Sequence, residues 1–435
     1  MSSEEVATTS RGSDKNQSKN DSSGICEPPD WPAPEIDVTE RSQRRLLHWG
    51  PMIALGIIAF IGFTTTHYMM MWWPLTSLSG ITHFMIYLFW SIMTVDNLVK
   101  ASSYGPGYVP KGWKPHEKWM EDKLQQCKPC EGFKAPRSHH CSKCKRCSMK
   151  MDHHCPWINN CVGHVNHAYF MRFLASAIVG CIHSTIVLCF CIYHAFNLHW
   201  YIRYGDGSEP RVEFDIVDLF LVVIASAAAV AVAIALAVLL GFQVKYVVRN
   251  KNSIEEYIYA KAVNRREDGT TWNYPYNVGW RRNIFEVLCS LSGNVSGNGF
   301  WWPVTEGCDQ FTFTMEQLEQ KALKKQFSRN ICITKDYNGG RLEVCRYKVK
   351  YFFTQPIVDG APMKVTQGEQ MVATRAASGW IYCYRAANEQ EKGWVPREVT
   401  NLLTAREALP YRDQLEEKEQ KIMDEMIANE DKKKN

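Results

Sequence analysis

Apolar residues are not spread evenly along this chain. They gather into four almost uncharged blocks, residues 51–73, 75–95, about 170–196 and about 219–244, with charged segments between them. A helix needs roughly 20 residues to cross a ~30 Å hydrocarbon core, and each block is that long. Four such runs exceed what a soluble core needs, so the pattern predicts four transmembrane helices. Pro74 and a polar patch at 76–79 are all that separate the first two blocks, which predicts a tight helical hairpin. A different pattern begins near Cys345. Short alternating segments at 347–353, 363–365, 370–373, 380–384 and 393–396 predict a small β-barrel running to Leu403. Residues 1–45 predict a disordered tail, and residues 404–435 a charged helix and tail.

Charge placement says more than the formal net charge of +5. Arg41, Arg44 and Arg45 precede the first block, and eleven Lys/Arg against five acidic residues lie between Ala101 and Ala168. Lys245, Arg249 and Lys251 follow the fourth block. Residues 201–215 instead carry Arg203 and Arg211 against Asp206, Glu209, Glu213 and Asp215. Lys/Arg-rich flanks stay in the cytosol, so both termini and residues 99–168 are expected there. Two small loops are expected on the far side, where Trp72, Trp73, Trp200 and Tyr201 suit the membrane interface. His67, His83, His183 and His194 lie inside or beside the spans without cysteine neighbours and read as packing histidines.

The 99–168 segment holds the chemistry. Seven of the sixteen cysteines lie between Cys127 and Cys161, and six of the thirteen histidines between Cys127 and His167. Cys127/Cys130, Cys141/Cys144 and Cys144/Cys147 each have the C-x2-C spacing of structural zinc sites. That grouping points to zinc in a reducing compartment rather than to disulfides. Two closed Cys3His sites would take six cysteines and leave one. The least ligand-like is Cys155, directly after Asp152-His153-His154. A thiol beside a histidine and a carboxylate suits nucleophilic catalysis. On spacing alone, a seventh ligand or an inert thiol is the other reading.

At these residues the chain resembles the DHHC family of protein S-acyltransferases (palmitoyltransferases). The matching elements follow in order: Cys127-x2-Cys130, Pro136-Arg137, His140-Cys141-x2-Cys144-x2-Cys147, Asp152-His153-His154-Cys155-Pro156-Trp157, Asn160-Cys161-x-Gly163 and Asn166-x3-Phe170. The family's Thr-Thr-x-Glu stands here as Asn252-Ser253-Ile254-Glu255, its Asp-Pro-Gly as Gly105-Pro106-Gly107, and its aromatic/Asn element as residues 274–283 ending on Asn283. The resemblance implies one zinc on Cys127, Cys130, His140 and Cys147 and a second on Cys141, Cys144, His154 and Cys161, both structural. It also implies Cys155 as nucleophile, His153 as general base, Asp152 as its orienting carboxylate and Trp157 beside the head of the acyl chain. The reaction implied is two-step: acyl-CoA acylates Cys155, and the thiol of a protein substrate with a membrane-proximal cysteine then takes the acyl group.

The expected fold class is therefore a mainly α membrane protein. It has four transmembrane helices (49–98 and 169–247), a cytosolic double-zinc domain at 99–168 between the second and third, a juxtamembrane region at 248–310, and an SH3-like β-barrel within 311–403. Lys364-Val365, Gly368-Glu369, Trp380 and Gly393-Trp394-Val395-Pro396 carry the SH3 likeness, which implies a possible protein-docking role. Lys432-Lys433-Lys434-Asn435 fits a dilysine signal, so the endoplasmic reticulum membrane is the expected location, with a solvated lysine run as the alternative. A non-catalytic scaffold would not need the seventh cysteine. Nucleic-acid binding finds little support, because the ligand spacing of the Cys/His segment lacks the helix-borne H-x3-5-H pair and the segment is wedged between membrane spans.

Overall fold

The computed structural model describes residues 41–207, 211–266, 272–288, 298–326, 328–340, 343–346, 352–354, 356 and 360–402. Most of the expected N-terminal tail, residues 347–351 of the 347–353 segment, and the charged C-terminal helix with Lys432 to Lys434 lie outside those residues. The chain divides into two compact units, Met1–Ala260 with Asn273–Thr314 and Lys261–Trp272 with Met315–Asn435.

The helices are α1 (Arg41–Leu46), α2 (Trp49–Trp72), α3 (Leu78–Ser103), α4 (His167–Phe196), α5 (Leu198–Tyr204), α6 (Ile216–Val248), α7 (Ser253–Asn264), α8 (Trp280–Leu288) and α9 (Thr312–Gln326). Helices α2, α3, α4 and α6 are long and apolar enough to cross a membrane. The protein is a multi-pass membrane protein and mainly helical. Each of these helices reaches past its apolar block at one end or both. The blocks stop at the first charge, but a helix tolerates charges that pair. In α3 the continuation carries Asp96 and Lys100, which pair at 2.7 Å across one turn. In α6 it begins with a capping box between Asp215 and Asp218. Helix α1 corrects the expectation of a tail disordered through residue 45. The Arg45 guanidinium donates to Tyr108 Oη (3.2 Å), and the Arg45 carbonyl accepts from Asn159 Nδ2 (3.3 Å).

Helix α4 packs along both α3 and α6, and α2 touches all three. The hairpin between α2 and α3 is as tight as expected. A side chain at Gly80 would collide with the carbonyls of Trp73 and Pro74, and Ser77 caps α3 by accepting from the Gly80 N–H (3.0 Å). Inside the bundle Thr65 and Ser184 share a hydroxyl hydrogen bond, and Tyr68 Oη donates to Asp218 Oδ1 (2.6 Å). His83 and His183 face each other at 3.4 Å with Trp73 stacked on His83, in keeping with a packing role.

Between α3 and α4 the chain makes three antiparallel hairpins: β1 (Gln126–Cys127) with β2 (Gly132–Phe133), β3 (His139–Cys141) with β4 (Arg146–Ser148), and β5 (His153–Cys155) with β6 (Asn160–Val162). Two- and three-residue strands bury too little to be stable alone. What holds them is the chemistry of the next section.

The second unit carries β7 (Arg329–Cys332), β8 (Gln370–Ala377), β9 (Trp380–Arg385) and β10 (Asn388–Pro396), one antiparallel sheet in the order β10-β9-β8-β7. Its core gathers Ile331, Tyr337, Trp380, Ile381, Val395 and Val399. Strand β7 starts well before the alternating pattern at Cys345. Arg-Asn-Ile-Cys has one aliphatic residue and no visible period, so pairing with β8 selects it. Residues 362–365 add two isolated bridges, Pro362 with Trp394 and Val365 with Tyr337.

Candidate active site and metal centres

Alternation along the short strands sorts the ligands. Successive side chains on a strand point to opposite faces. On β3, His140 and Cys141 are neighbours and so part company. His140 joins Cys127, Cys130 and Cys147, while Cys141 joins Cys144, His154 and Cys161. Within each group the ligand atoms all lie within 4.8 Å of one another.

The donor geometry fits zinc. His140 Nδ1 lies 3.4, 3.3 and 3.9 Å from the sulfurs of Cys127, Cys130 and Cys147. His154 Nδ1 lies 3.7, 3.4 and 3.7 Å from those of Cys141, Cys144 and Cys161. A tetrahedral ion with Zn–S of about 2.3 Å and Zn–N of about 2.0 Å has edges of about 3.5–3.8 Å. Each cluster can therefore hold one metal ion with four ligands and no open position. Buried Val109, Ala135, Met149 and Phe300 pack around the first cluster, so apolar packing and metal ligation share one small core.

The same alternation on β5 separates the two adjacent histidines. His154 pairs with Cys161 across the hairpin, facing the second cluster, while His153 and Cys155 share the other face. His153 Nδ1 donates to Asp152 Oδ2 at 2.6 Å, which leaves its Nε2 for the Cys155 side. Burial pushes the His153 imidazole down, but hydrogen bonds to Asp152 and Cys155 outweigh it and bring its pKa up to about 9. Burial likewise works against Asp152 ionisation, and the His153 contact overcomes it to hold the carboxyl well below the usual carboxylate range. Phe170 of α4 meets the His153 ring nearly edge-on at 5.5 Å.

Asp152 is saturated by groups far away in sequence. Its Oδ1 accepts from the Ser253 N–H (2.7 Å), its carbonyl from the Ser253 hydroxyl (2.7 Å), and its Oδ2 also from Gln243 Nε2 (2.9 Å). Ser253 is held by the segment it opens. Glu255, two residues on, is fully buried and receives Arg137 Nε (2.7 Å) and Nη2 (2.8 Å) in a two-pronged pair. Arg137 also donates to Asn250 Oδ1 and to the Asn250 carbonyl (3.1 and 2.7 Å), with Tyr276 and Trp302 rings 4.4 and 4.9 Å from its guanidinium carbon. Tyr274 Oη donates to Glu255 (2.7 Å). Asn283 of α8 donates to the Val248 carbonyl (2.8 Å). The element at 252–255 thus serves the site although only its glutamate and one hydroxyl match the family pattern. Gln243, an amide near the end of the uncharged 219–244 stretch, is a site residue that the sequence reading missed. Its polarity inside a span was the available signal.

Beyond Cys155 the four membrane-length helices line an apolar cavity of about 250 Å³. Cys155 and Trp157 lie at one part of its lining, and Ile58, Phe173, Leu236 and Leu239 are among its walls, with Tyr87 and Cys181 also lining it. Trp157 is half exposed and meets Trp49 edge-on at 6.0 Å. The first turn of α2 presses on this corner: a side chain at Gly50 would overlap the Pro156 carbonyl, with its carbon 2.7 Å away. Of the residues singled out in the sequence, the eight candidate ligands form the two clusters, and Cys155 and Trp157 line the cavity.

Comparison with known proteins gives three results. A family model described as DHHC palmitoyltransferase matches residues 120–260. The chain is 38% identical over 377 residues to the Danio rerio protein named Palmitoyltransferase ZDHHC6, covering 81% of this chain and 91% of that one, and 38% identical over 376 residues to its Homo sapiens counterpart (82% and 91%). An Arabidopsis thaliana protein named Probable protein S-acyltransferase 16 is 32% identical over 254 residues, 54% of this chain and 82% of that one.

Proposed function

The chain belongs to the DHHC palmitoyltransferase family and is a protein S-acyltransferase; from that premise we propose that it works through an acyl-enzyme on Cys155. The observation that carries the proposal is the placement of Cys155 beside the His153–Asp152 pair and on the lining of an apolar cavity. A long acyl chain gains about 0.8 kcal/mol for each methylene that it buries, so such a cavity suits the chain while its thioester lies at the sulfur. His153 takes the proton of the Cys155 thiol, and the sulfur attacks the thioester carbonyl of a long-chain acyl-CoA. The carbon–sulfur bond to CoA breaks, and the CoA thiolate recovers the proton. In the second step a cysteine thiol of a protein substrate gives its proton to His153 and attacks the acyl-enzyme. Cys155 leaves and is reprotonated. One thioester replaces another at each step, so no further energy source is required.

Zinc in the two closed clusters would fix the shape of the loop that bears Cys155, which is what four-ligand sites without an open position supply. Asp152 orients His153, and Trp157 covers the head of the chain. Cys155→Ser should leave zinc content and folding unchanged and abolish labelling by an alkyne fatty acyl-CoA. Equal labelling of the variant and the wild type in this region would sink the acyl-enzyme.

We place the Cys/His region and both termini in the cytosol of an endoplasmic reticulum membrane protein, with the 205–215 loop in the lumen. The support is the Lys/Arg excess between Ala101 and Ala168 against the acidic 201–215 loop. Epitope tags at either terminus should be reached by antibody when only the plasma membrane is permeabilised, and a tag at 206–207 should not. The opposite pattern would reverse the orientation. A docking partner for the sheet at 329–396 is carried only by the SH3 likeness of its sequence.

A further inference from the structure

We propose that Gln243 is a positioning residue for the transfer reaction: held by His167, it aims the oxygen of Asp152 that orients His153. The inference rests on the acyl-enzyme reading above and concerns a residue that the family pattern in this sequence does not include.

Chemistry settles how Gln243 is oriented. An ionised carboxylate only accepts hydrogen bonds, so the group 2.9 Å from Asp152 Oδ2 is the amide NH2. The amide oxygen then faces His167 Nε2 at 2.7 Å, and that nitrogen must donate. Gln243, His167 and Asp152 are all buried, with 2, 4 and 1% of their surfaces exposed. The amide is therefore fixed at both ends, and water does not compete for it.

Position separates this contact from the others at Asp152. Ser253 holds the aspartate backbone and Oδ1. Among the described residues, Gln243 shares Oδ2 with His153 Nδ1. The direction of Oδ2 sets the tilt of the imidazole, and so the approach of its other nitrogen to Cys155. Gln243 also stands one turn beyond Leu239 on α6, and His167 one turn before Phe170 on α4, both of which line the cavity. The two helices that wall the acyl chain therefore also clamp the carboxylate. A polar residue at this depth is costly unless satisfied, and here both of its ends are.

The test uses the full-length, zinc-loaded protein in lipid nanodiscs, with single-turnover release of CoA from palmitoyl-CoA as the readout. Gln243→Met keeps length and removes both hydrogen bonds. It should lower the saturating rate of Cys155 acylation roughly 10- to 100-fold, the range for losing a hydrogen bond to a charged group. Its half-saturating palmitoyl-CoA concentration and zinc content should stay near wild type. Gln243→His, which can donate to Asp152 and accept from His167, should recover most of the rate. Gln243→Asn, polar but one methylene too short, should not.

A Gln243→Met rate equal to wild type would overturn the inference. So would failure of Gln243→His to exceed Gln243→Asn when both retain zinc, and these two variants decide the matter if Gln243→Met does not fold. If wild type itself releases CoA without acylating Cys155, the acyl-enzyme reading fails first, and that outcome is distinct from any rank order among the Gln243 variants.

Discussion

Cys127→Ser is expected to strip metal from the first cluster and take the catalytic hairpin with it. The hairpins around Cys155 have strands of two or three residues, and structural zinc contributes about 10–16 kcal/mol to folding in such modules. That is comparable with the whole stability of a typical domain, roughly 5–15 kcal/mol. The loss should not stay local. His140 of the first cluster and Cys141 of the second are adjacent on β3, so unpairing one face of that strand disturbs the other. Metal analysis of the purified variant should give fewer than two zinc ions per chain, and Cys155 acylation should vanish although Cys155 is intact. Ser142→Ala, an exposed change inside the second cluster's Cys141-x2-Cys144 pair, should keep both ions. A Cys127→Ser protein with two ions and normal activity would mean that Cys127 is not a ligand.

Arg137→Ala should cost about 3–5 kcal/mol, the range for breaking a buried ion pair from one side. Glu255 would stay buried with Tyr274 and the Asn252 N–H but without its charge partner, and a gap would open between Tyr276 and Trp302. Lysine should not restore the loss. One ammonium cannot replace a planar fork that reaches both Glu255 oxygens and both Asn250 oxygens. Because Ser253 reaches Asp152 from the same segment, activity should fall together with stability.

The pair also sets a pH dependence. Burial disfavours the Glu255 charge, and Arg137 more than compensates, so its carboxyl lies below its ordinary value. A depressed carboxylate contributes stability that is fully present above the unfolded pKa and lost as pH falls through the folded one. Wild type should therefore lose this contribution only in acid, and Arg137→Ala should lack it at neutral pH. A thermal melt of both proteins at pH 7 and at about pH 4 checks this. Equal melting temperatures at pH 7 would rule out the pair as a support.

The family likeness supplied the two ligand sets and the role of the seventh cysteine, while composition and spacing alone determined four membrane helices and a cysteine/histidine cluster with enough ligands for two metal sites. These depend on local quantities: the run length of apolar residues and the reach of C-x2-C pairs. The division of the adjacent histidines was implied by the family likeness, and strand alternation supplies its physical reason, since neighbours on β5 must face opposite ways. Helix ends were misjudged where Asp96–Lys100 and the Asp215 capping box carry charge into the helix. Strand β7 was invisible because only its partner gives it a reason to extend.

The support of the site was the least legible part. Gln243 and Ser253 stand 91 and 101 residues from Asp152, and Glu255 stands 118 from Arg137. No periodicity or spacing rule connects positions so far apart. They meet because α6 returns to the side of the bundle where β5 lies, and a buried carboxylate takes its donors from whatever the fold brings there. The sequence picked out the candidate reactive groups through local spacing and family likeness. Only the tertiary structure decided which distant groups contact them, because those contacts depend on how the fold brings α6 and the 250–255 segment to β5.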